Sequence, residues 1–340
     1  MNMAEPLLCL MGGASVDPSL LRAVALQVQR ALGRPSAEVL PMTRPRFVKE
    51  GEVVMGTRKC SERRFFLRPG SITDQLFMYC LARAARISGV LLHEFQVLSN
   101  HYHIVFTDVR GNRGDFFHEL NQFVARGVNA SIGRWESFFA PGSYNAVALL
   151  DEDAIERECL YTLCNVVKHG LVKLPEYWDG VCSWAMEYGE SKTIQRPKGF
   201  FSETSGNTLE EETLTLVRPE SLYPSLSDTD ARAQLRDKAR EKSHAIAEKL
   251  KKAGGSFMGM KRVRKQPTDS SPNTRAPRRG IRPTVAGNKW ARIEALQRNE
   301  AFLEAHRAAR LRFEKGERDV VFPLGTYLMV RRYGVAVAKS

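Results

Sequence analysis

The chain has 340 residues, 43% of them apolar, with 51 Lys and Arg against 38 Asp and Glu and a formal net charge of +13. That length accommodates two domains, or one domain with long extensions, and a sizeable core. No apolar run approaches the ~20 residues a bilayer-crossing helix needs, and the positive surplus points to a polyanion, nucleic acid before a membrane surface. The cysteines Cys9, Cys60, Cys80, Cys159, Cys164 and Cys182 form neither a C-x-x-C pair nor a zinc spacing, which reads as reduced thiols in a cytoplasmic protein. Glu5 precedes the apolar patch from Leu7 to Met11 and no basic residues lead into it, so it does not read as a signal peptide.

Residues 1–48 read as an N-terminal extension. It carries one amphipathic helix from Pro18 to Leu32, then the breakers Pro35, Pro41 and Pro45. A strand follows over Gly51 to Arg58 and runs into a basic cluster, Arg58, Lys59, Arg63 and Arg64. Pro69-Gly70 turns the chain, and Ser71 or Thr73 caps a helix to about Ser88. Strands over Val90–Leu98 and His101–Val109 are joined only by Ser99-Asn100, a hairpin spacing. Gly111 and Gly114 mark the next loop. A helix then runs from Asp115 to about Trp135, and a fourth strand from Tyr144 to Leu150. Asp151 caps a helix over Glu152–Lys168, with acidic residues in its first turn where the helix dipole favours them. The order β-α-β-β-α-β over residues 49–190 predicts an α+β, ferredoxin-like antiparallel sheet with helices on one face, plus one further helix.

Residues 191–285 read as a charged, partly flexible basic linker. It includes an exposed charged helix, Ala231 to Lys252, and a Pro-, Gly- and Ser-containing stretch from Lys251 to Pro283. That stretch is either a solvated spacer or a phosphate-binding arm. Residues 286–340 read as a small C-terminal module, with a helix from Asn288 to Lys315 and short strands from Val320 to Val337.

The chemistry gathers on two stretches. In Asn100-His-Tyr-His-Ile-Val-Phe106, strand alternation sends Tyr102, Ile104 and Phe106 to the core and His101 and His103 to the opposite, wetter face. Two neutral imidazoles there can share a metal ion, or they are a half-buried strand's incidental histidines. On the helix over 152–168, Ile155, Cys159, Leu163 and Val166 form the buried stripe. Tyr161 and Asn165 lie one turn apart on another face, which Lys168 shares. Asn165 can offer its carbonyl oxygen as a third ligand. Such an ion acts as a Lewis acid on a phosphodiester, and Tyr161 supplies the nucleophilic hydroxyl. The covalent phosphotyrosine so formed keeps its bond energy, so a strand can be rejoined without a nucleotide cofactor.

Together, the stretch from Glu94 to Phe106 and the run Tyr161-Thr-Leu-Cys-Asn165, with its Gly-Leu-Val exit, resemble the single-tyrosine transposases of the His-hydrophobic-His superfamily. These are the insertion-sequence and REP-associated types. The resemblance spans about residues 48–188. It implies a ferredoxin-like nuclease domain and Mg2+ or Mn2+ on His101, His103 and Asn165. It implies Tyr161 as the nucleophile forming a 5′-phosphotyrosine and freeing a 3′-hydroxyl. It also implies single-stranded or hairpin DNA as the partner, with a homodimer left open. Val166 stands where such proteins commonly have Pro, and residues past 190 match nothing in them.

Arg58, Lys59, Arg63, Arg64, Arg110, Arg113, Lys168 and Lys173 are the candidate DNA-binding residues. Trp178 and Trp184 read as packing residues. His93, His118 and His169 lack a partner at ligand spacing and read as structural, with His118 a proton donor only by loose analogy. Two other readings stand beside the transposase: a non-cleaving hairpin DNA- or RNA-binding relative, and, more distantly, a replication-initiation or relaxase protein.

Overall fold

Alternation of large apolar residues along one short strand sets the architecture. The computed structural model describes residues 45–142, 144–201, 208–273 and 283–338, so the helix expected over 18–32 lies outside the described residues. The elements are β1 (Glu52–Lys59), α1 (Ser71–Ser88), β2 (Leu91–Leu98), β3 (His101–Asp108), α2 (Arg113–Ser131), β4 (Asn145–Leu149), α3 (Glu152–Leu163) and the short α4 (Asn165–Lys168). They continue with β5 (Ser191–Gln195), β6 (Glu211–Thr215), α5 (Asp228–Lys252), α6 (Met260–Lys265), β7 (Thr284–Val285), α7 (Lys289–Glu314) and α8 (Leu328–Tyr333).

The first six elements follow the β-α-β-β-α-β order, and their strands lie in one mixed sheet in the order β2-β3-β1-β4-β7. The β2–β3, β3–β1 and β1–β4 pairs are antiparallel, and only β7 joins in parallel, beside β4. On one face Tyr102, Ile104 and Phe106 are fully buried. Tyr102 packs edge-on against Phe77 of α1, and Phe106 meets Phe116 and Phe117 of α2. Burying Ile104 and Phe106 is worth about 1.5–3 kcal/mol each. The layer is tight enough to require glycine: a Cβ on Gly56 of β1 would stand 2.2 Å from Phe117 Cζ.

The opposite face is not the wet surface expected for the two imidazoles. α3 crosses it and brings Tyr161 against His103, which is 5% exposed, while Val105 is fully buried. The sheet is therefore covered by helices on both sides. The helix expected over Glu152–Lys168 is interrupted: it stops at Leu163, and Cys164 (φ −84°, ψ 1°) joins it to α4. Asp151 caps it as expected, accepting from Ala154 N at 2.9 Å.

The linker reading of residues 191–285 needs correction at the described residues. β5 and β6 pair as an antiparallel hairpin, α5 has 25 residues, and β7 belongs to the main sheet. The expectation that 231–252 is an exposed helix fails for a specific reason. Ala231, Leu235 and Ala239 form a narrow stripe of mostly small residues that enters the core, and Arg232 is fully buried beside them. A second, smaller core gathers Leu98, Val166, Val167, Val172, Trp178 and Val263, with Phe257, Met258 and Met260 packed on it. It fastens the 257–263 segment to the end of the Tyr161 helix. Part of each edge of the sheet is occupied by the chain itself. β7 lies along β4, and on β2 Val217 N donates to Leu92 O, Ser183 N to Phe95 O and Val97 N to Val181 O.

Candidate active site

His101 and His103 are two apart on β3 and so share a face. Register brings the neighbouring strands to the same place. Lys59 and Thr57 of β1 stand opposite His101 and His103, and Leu98 and Gln96 of β2 stand opposite them on the other side. Directly opposed residues point to one side of a sheet. The two rings lie edge-on with centroids 5.0 Å apart. The Tyr161 ring packs edge-on against His103 at 5.3 Å, and Lys168 Nζ sits 4.5 Å from the Tyr161 ring centroid. The first two members of the expected quartet therefore meet the third across the α3–β3 contact, and Asn165 reaches the cluster from α4.

The imidazoles are oriented from behind. His101 Nδ1 lies 2.6 Å from Asn100 Oδ1, and His103 Nδ1 lies 3.0 Å from Thr57 Oγ1. Asn100 Oδ1 can only accept, so His101 carries its proton on Nδ1 and keeps its Nε2 lone pair. His103 Nε2 is buried without a hydrogen-bond partner, and so are Gln96 Nε2 and both amide atoms of Asn165. The Asn165 amide lies beside His101 and favours its protonation slightly, yet no aligned hydrogen bond satisfies the amide. Unpaired buried polar atoms cost about 1–3 kcal/mol each, and here several converge on one spot.

Burial also keeps the rings neutral. Desolvation, then the neighbouring His169 and Lys59, lowers His101 to about 3, and desolvation followed by His101 pushes His103 well below its ordinary value. Neutral imidazoles with free nitrogens and an adjacent amide oxygen are a donor set for a divalent cation. No group of three or more His, Cys, Asp or Glu side chains able to hold one metal occurs among the described residues. Two imidazoles and an amide are what this site offers, which leaves other coordination positions open to a substrate's oxygens.

The candidate basic residues divide by position. Lys59 faces His101, and Arg63 is close enough to depress it. Arg58 donates to Gly142 O at 2.8 Å and Ala140 O at 3.1 Å, and Arg64 pairs with Glu62 at 2.7 Å. Glu62 and Arg63 have φ of 53° and 59°, a left-handed conformation unusual outside glycine, right beside the site. Lys173 is exposed just past the buried Val172. Arg110 and Arg113 do not belong to this group. They lie beyond Asp108, at the opposite end of an 8-residue strand from His101, about 25 Å away at strand rise. Arg113 is also 5% exposed and pairs with Glu52 at 2.9 Å, which is a structural role.

Other histidines are settled by location. His93 is buried, with Nδ1 2.6 Å from Val217 O and Nε2 2.7 Å from Thr107 Oγ1. His118 is exposed on α2, whose phenylalanines pack on the other face of the sheet from Tyr161. His169 was expected to be structural, but its ring lies 5.5 Å from His101. Sequence spacing missed it, as it missed Thr57 and Gln96, which only strand register brings in. The one local signal was Asn100, directly before His101. Trp178 and Trp184 are packed, 4% and 8% exposed.

No family model matches the chain, and no curated protein matches it. Two solved structures similar to it are described as transposases. One is a REP-associated tyrosine transposase bound to a REP hairpin, with 18% identity over 41% of this chain and 79% of the other, at a TM-score of 0.35. Another is a putative transposase from Deinococcus radiodurans R1, with 16% identity over 31% of this chain and 85% of the other, at a TM-score of 0.25. Likenesses this remote leave the chemistry to be read from the site. No helix among the described residues is long and apolar enough to cross a membrane.

Proposed function

We propose that the chain is a metal-dependent single-strand DNA transesterase of the tyrosine-transposase type, acting on hairpin DNA through a covalent 5′-phosphotyrosine. Its strand order then reads as the ferredoxin-like split pattern extended by β7. The observation that carries the proposal is the contact of Tyr161 with His103, a buried imidazole whose Nε2 has no partner.

His101, His103 and Asn165 would hold Mg2+ or Mn2+, which when bound supplies Lewis-acid polarisation of the scissile phosphodiester. This chain's own residues do the rest. Asn100 and Thr57 fix the ring orientations, as outer-shell partners of metal-binding histidines do. Tyr161 is half-buried against His103, so its rotamer is restricted and its hydroxyl is presented on one side. Its oxygen forms a bond to phosphorus and the P–O3′ bond breaks. The phenol loses its proton and the departing 3′-oxygen gains one. Lys168 keeps a positive charge beside the ring as the phenolic oxygen develops charge. Rejoining runs the same step in reverse with another 3′-hydroxyl.

The test is covalent capture. Wild-type protein, manganese and a labelled single-stranded hairpin oligonucleotide should give an adduct that survives SDS. Tyr161→Phe should reduce it below detection while hairpin binding persists. An undiminished adduct in that variant would overturn the role of Tyr161, and a salt-sensitive mobility shift with no adduct in wild type would favour a non-cleaving binder.

A further inference from the structure

Beside the Tyr161 helix lies a cleft of about 580 Å³ whose walls come from two distant parts of the chain. One wall is Lys168, His169 and Gly170, at the end of α4. The other is Leu250 of α5, with Met258, Arg262 and Gln266 from the segment around α6. Among the lining residues Lys168 and Arg262 are cationic and none is acidic. Arg262 is exposed and makes no ion pair or hydrogen bond through its side chain among the described residues. Lys168 faces both ways, toward this cleft and over the Tyr161 ring.

The walls are locked together. Gly170 has φ +68° and ends α4, with Leu171 N donating back to Val166 O at 3.0 Å. Such a left-handed exit suits glycine. Met258 N then donates to Gly170 O at 2.8 Å and Gly259 N to Leu171 O at 2.8 Å. The second apolar core, with Val263 fully buried, holds the same segment from beneath. The backbone that carries Arg262 is thereby held to the backbone that carries Lys168.

On the basis of the transesterase reading, we infer that this cleft is a subsite for the nucleotide unit next to the scissile phosphate, with Arg262 and Lys168 gripping its phosphate. The cleft is open to solvent along one side, as a groove that receives part of a longer chain must be. Lys168 lies over the Tyr161 ring and also lines the cleft, so a strand whose scissile phosphate is at Tyr161 has this two-cation cleft beside it. Charge-assisted contacts from an unpartnered guanidinium suit a phosphate diester. The basic stretch past residue 250 then acts through a fixed position, in place of a loose arm.

The experiment neutralises one phosphate at a time. Hairpin oligonucleotides carry a methylphosphonate at the phosphate on either side of the scissile one. They are tested against wild type, Arg262→Ala and a control, Arg264→Ala, which removes an exposed arginine of the same helix that pairs with Asp179. In wild type, one of the two methylphosphonates should slow covalent capture about tenfold. Arg262→Ala should lose about tenfold on unmodified DNA and nothing further on that methylphosphonate, because the same contact is removed twice. Arg264→Ala should stay within twofold. Losses that multiply, or a wild type indifferent to both methylphosphonates, would overturn the assignment. The same panel measured as Kd on Tyr161→Phe protein must show the same pattern. That arm separates failure of the subsite from failure of the chemistry.

Discussion

Two buried polar clusters lie on the same face of the sheet, and they are built to opposite rules. Glu94 of β2 stands opposite Val105, two residues along β3 from His103. Glu94 and Arg232 are both fully buried and ion-paired. Tyr188 donates to Glu94 Oε1 at 3.0 Å, Ser183 donates to the other carboxylate oxygen, and Arg232 reaches Met186 O at 2.9 Å and Ser183 O at 2.6 Å. No side-chain atom of these residues is left unpaired. A few ångströms of sheet away, His103, Asn165 and Gln96 keep atoms with nothing to bond. The completed cluster ties α5 and the 183–188 loop to β2. The incomplete one is where the proposed function puts a divalent cation. Single unpartnered atoms occur elsewhere in the described residues, at Asn129 and Tyr223 for example, but at the histidines His103, Gln96 and Asn165 bring theirs together.

Substitutions should separate the two clusters. Arg232→Met leaves the Glu94 carboxylate buried and unpaired, and should cost about 3–5 kcal/mol in urea unfolding, whereas the double replacement Glu94→Leu with Arg232→Met should recover most of that loss. A single variant as stable as wild type would break the comparison. Thr57→Val removes the oxygen behind His103 and should weaken manganese binding by about 10–100-fold, while changing stability by only about 1 kcal/mol. Titration of manganese by paramagnetic resonance reads the first and urea unfolding the second. If stability fell as far as with Arg232→Met, the His cluster would be structural too.

Acid gives the most graded effect. The folded values of about 4 for His93 and about 3 for His101 lie below the 6.5 of the unfolded chain, because burial disfavours the charged ring. The unfolded state therefore binds more protons below pH 6.5. The contribution is fully present above pH 6.5 and is lost as pH falls toward the folded values. The slope is about 1.4 kcal/mol per pH unit for each ring inside that window. Urea midpoints at pH 7 and pH 5 check this, and His93→Gln should flatten the difference.

Much of this was legible in the chain. Tyr102, Ile104 and Phe106 alternate cleanly, Ser99-Asn100 leaves no room for anything but a tight turn, and Asp151 announces its helix. The pairing of Tyr161 with the His101–His103 strand followed from residue chemistry. Other parts were hidden by physics that spacing does not carry. Cys164 breaks a helix that periodicity runs straight through. Arg110 and Arg113 are near His103 in sequence, but an extended strand carries them to its far end. Arg232 sits in a helix of charges whose buried apolar stripe is Ala231, Leu235 and Ala239, continued by Ser243, too narrow to register as a core face. Val166, read as part of one buried stripe with Ile155, Cys159 and Leu163, is buried as expected but in the second core, because the helix is interrupted before it.

Part of each border of the sheet that carries the two histidines is taken by the chain's own backbone: β7 lies along Ala148 and Leu149 of β4, and residues 181–183 and 217 bond to β2. An unpaired border is where one protein templates another into ladders and fibrils. Where its own backbone occupies β2 and the end of β4, an intruding strand finds no free ladder groups.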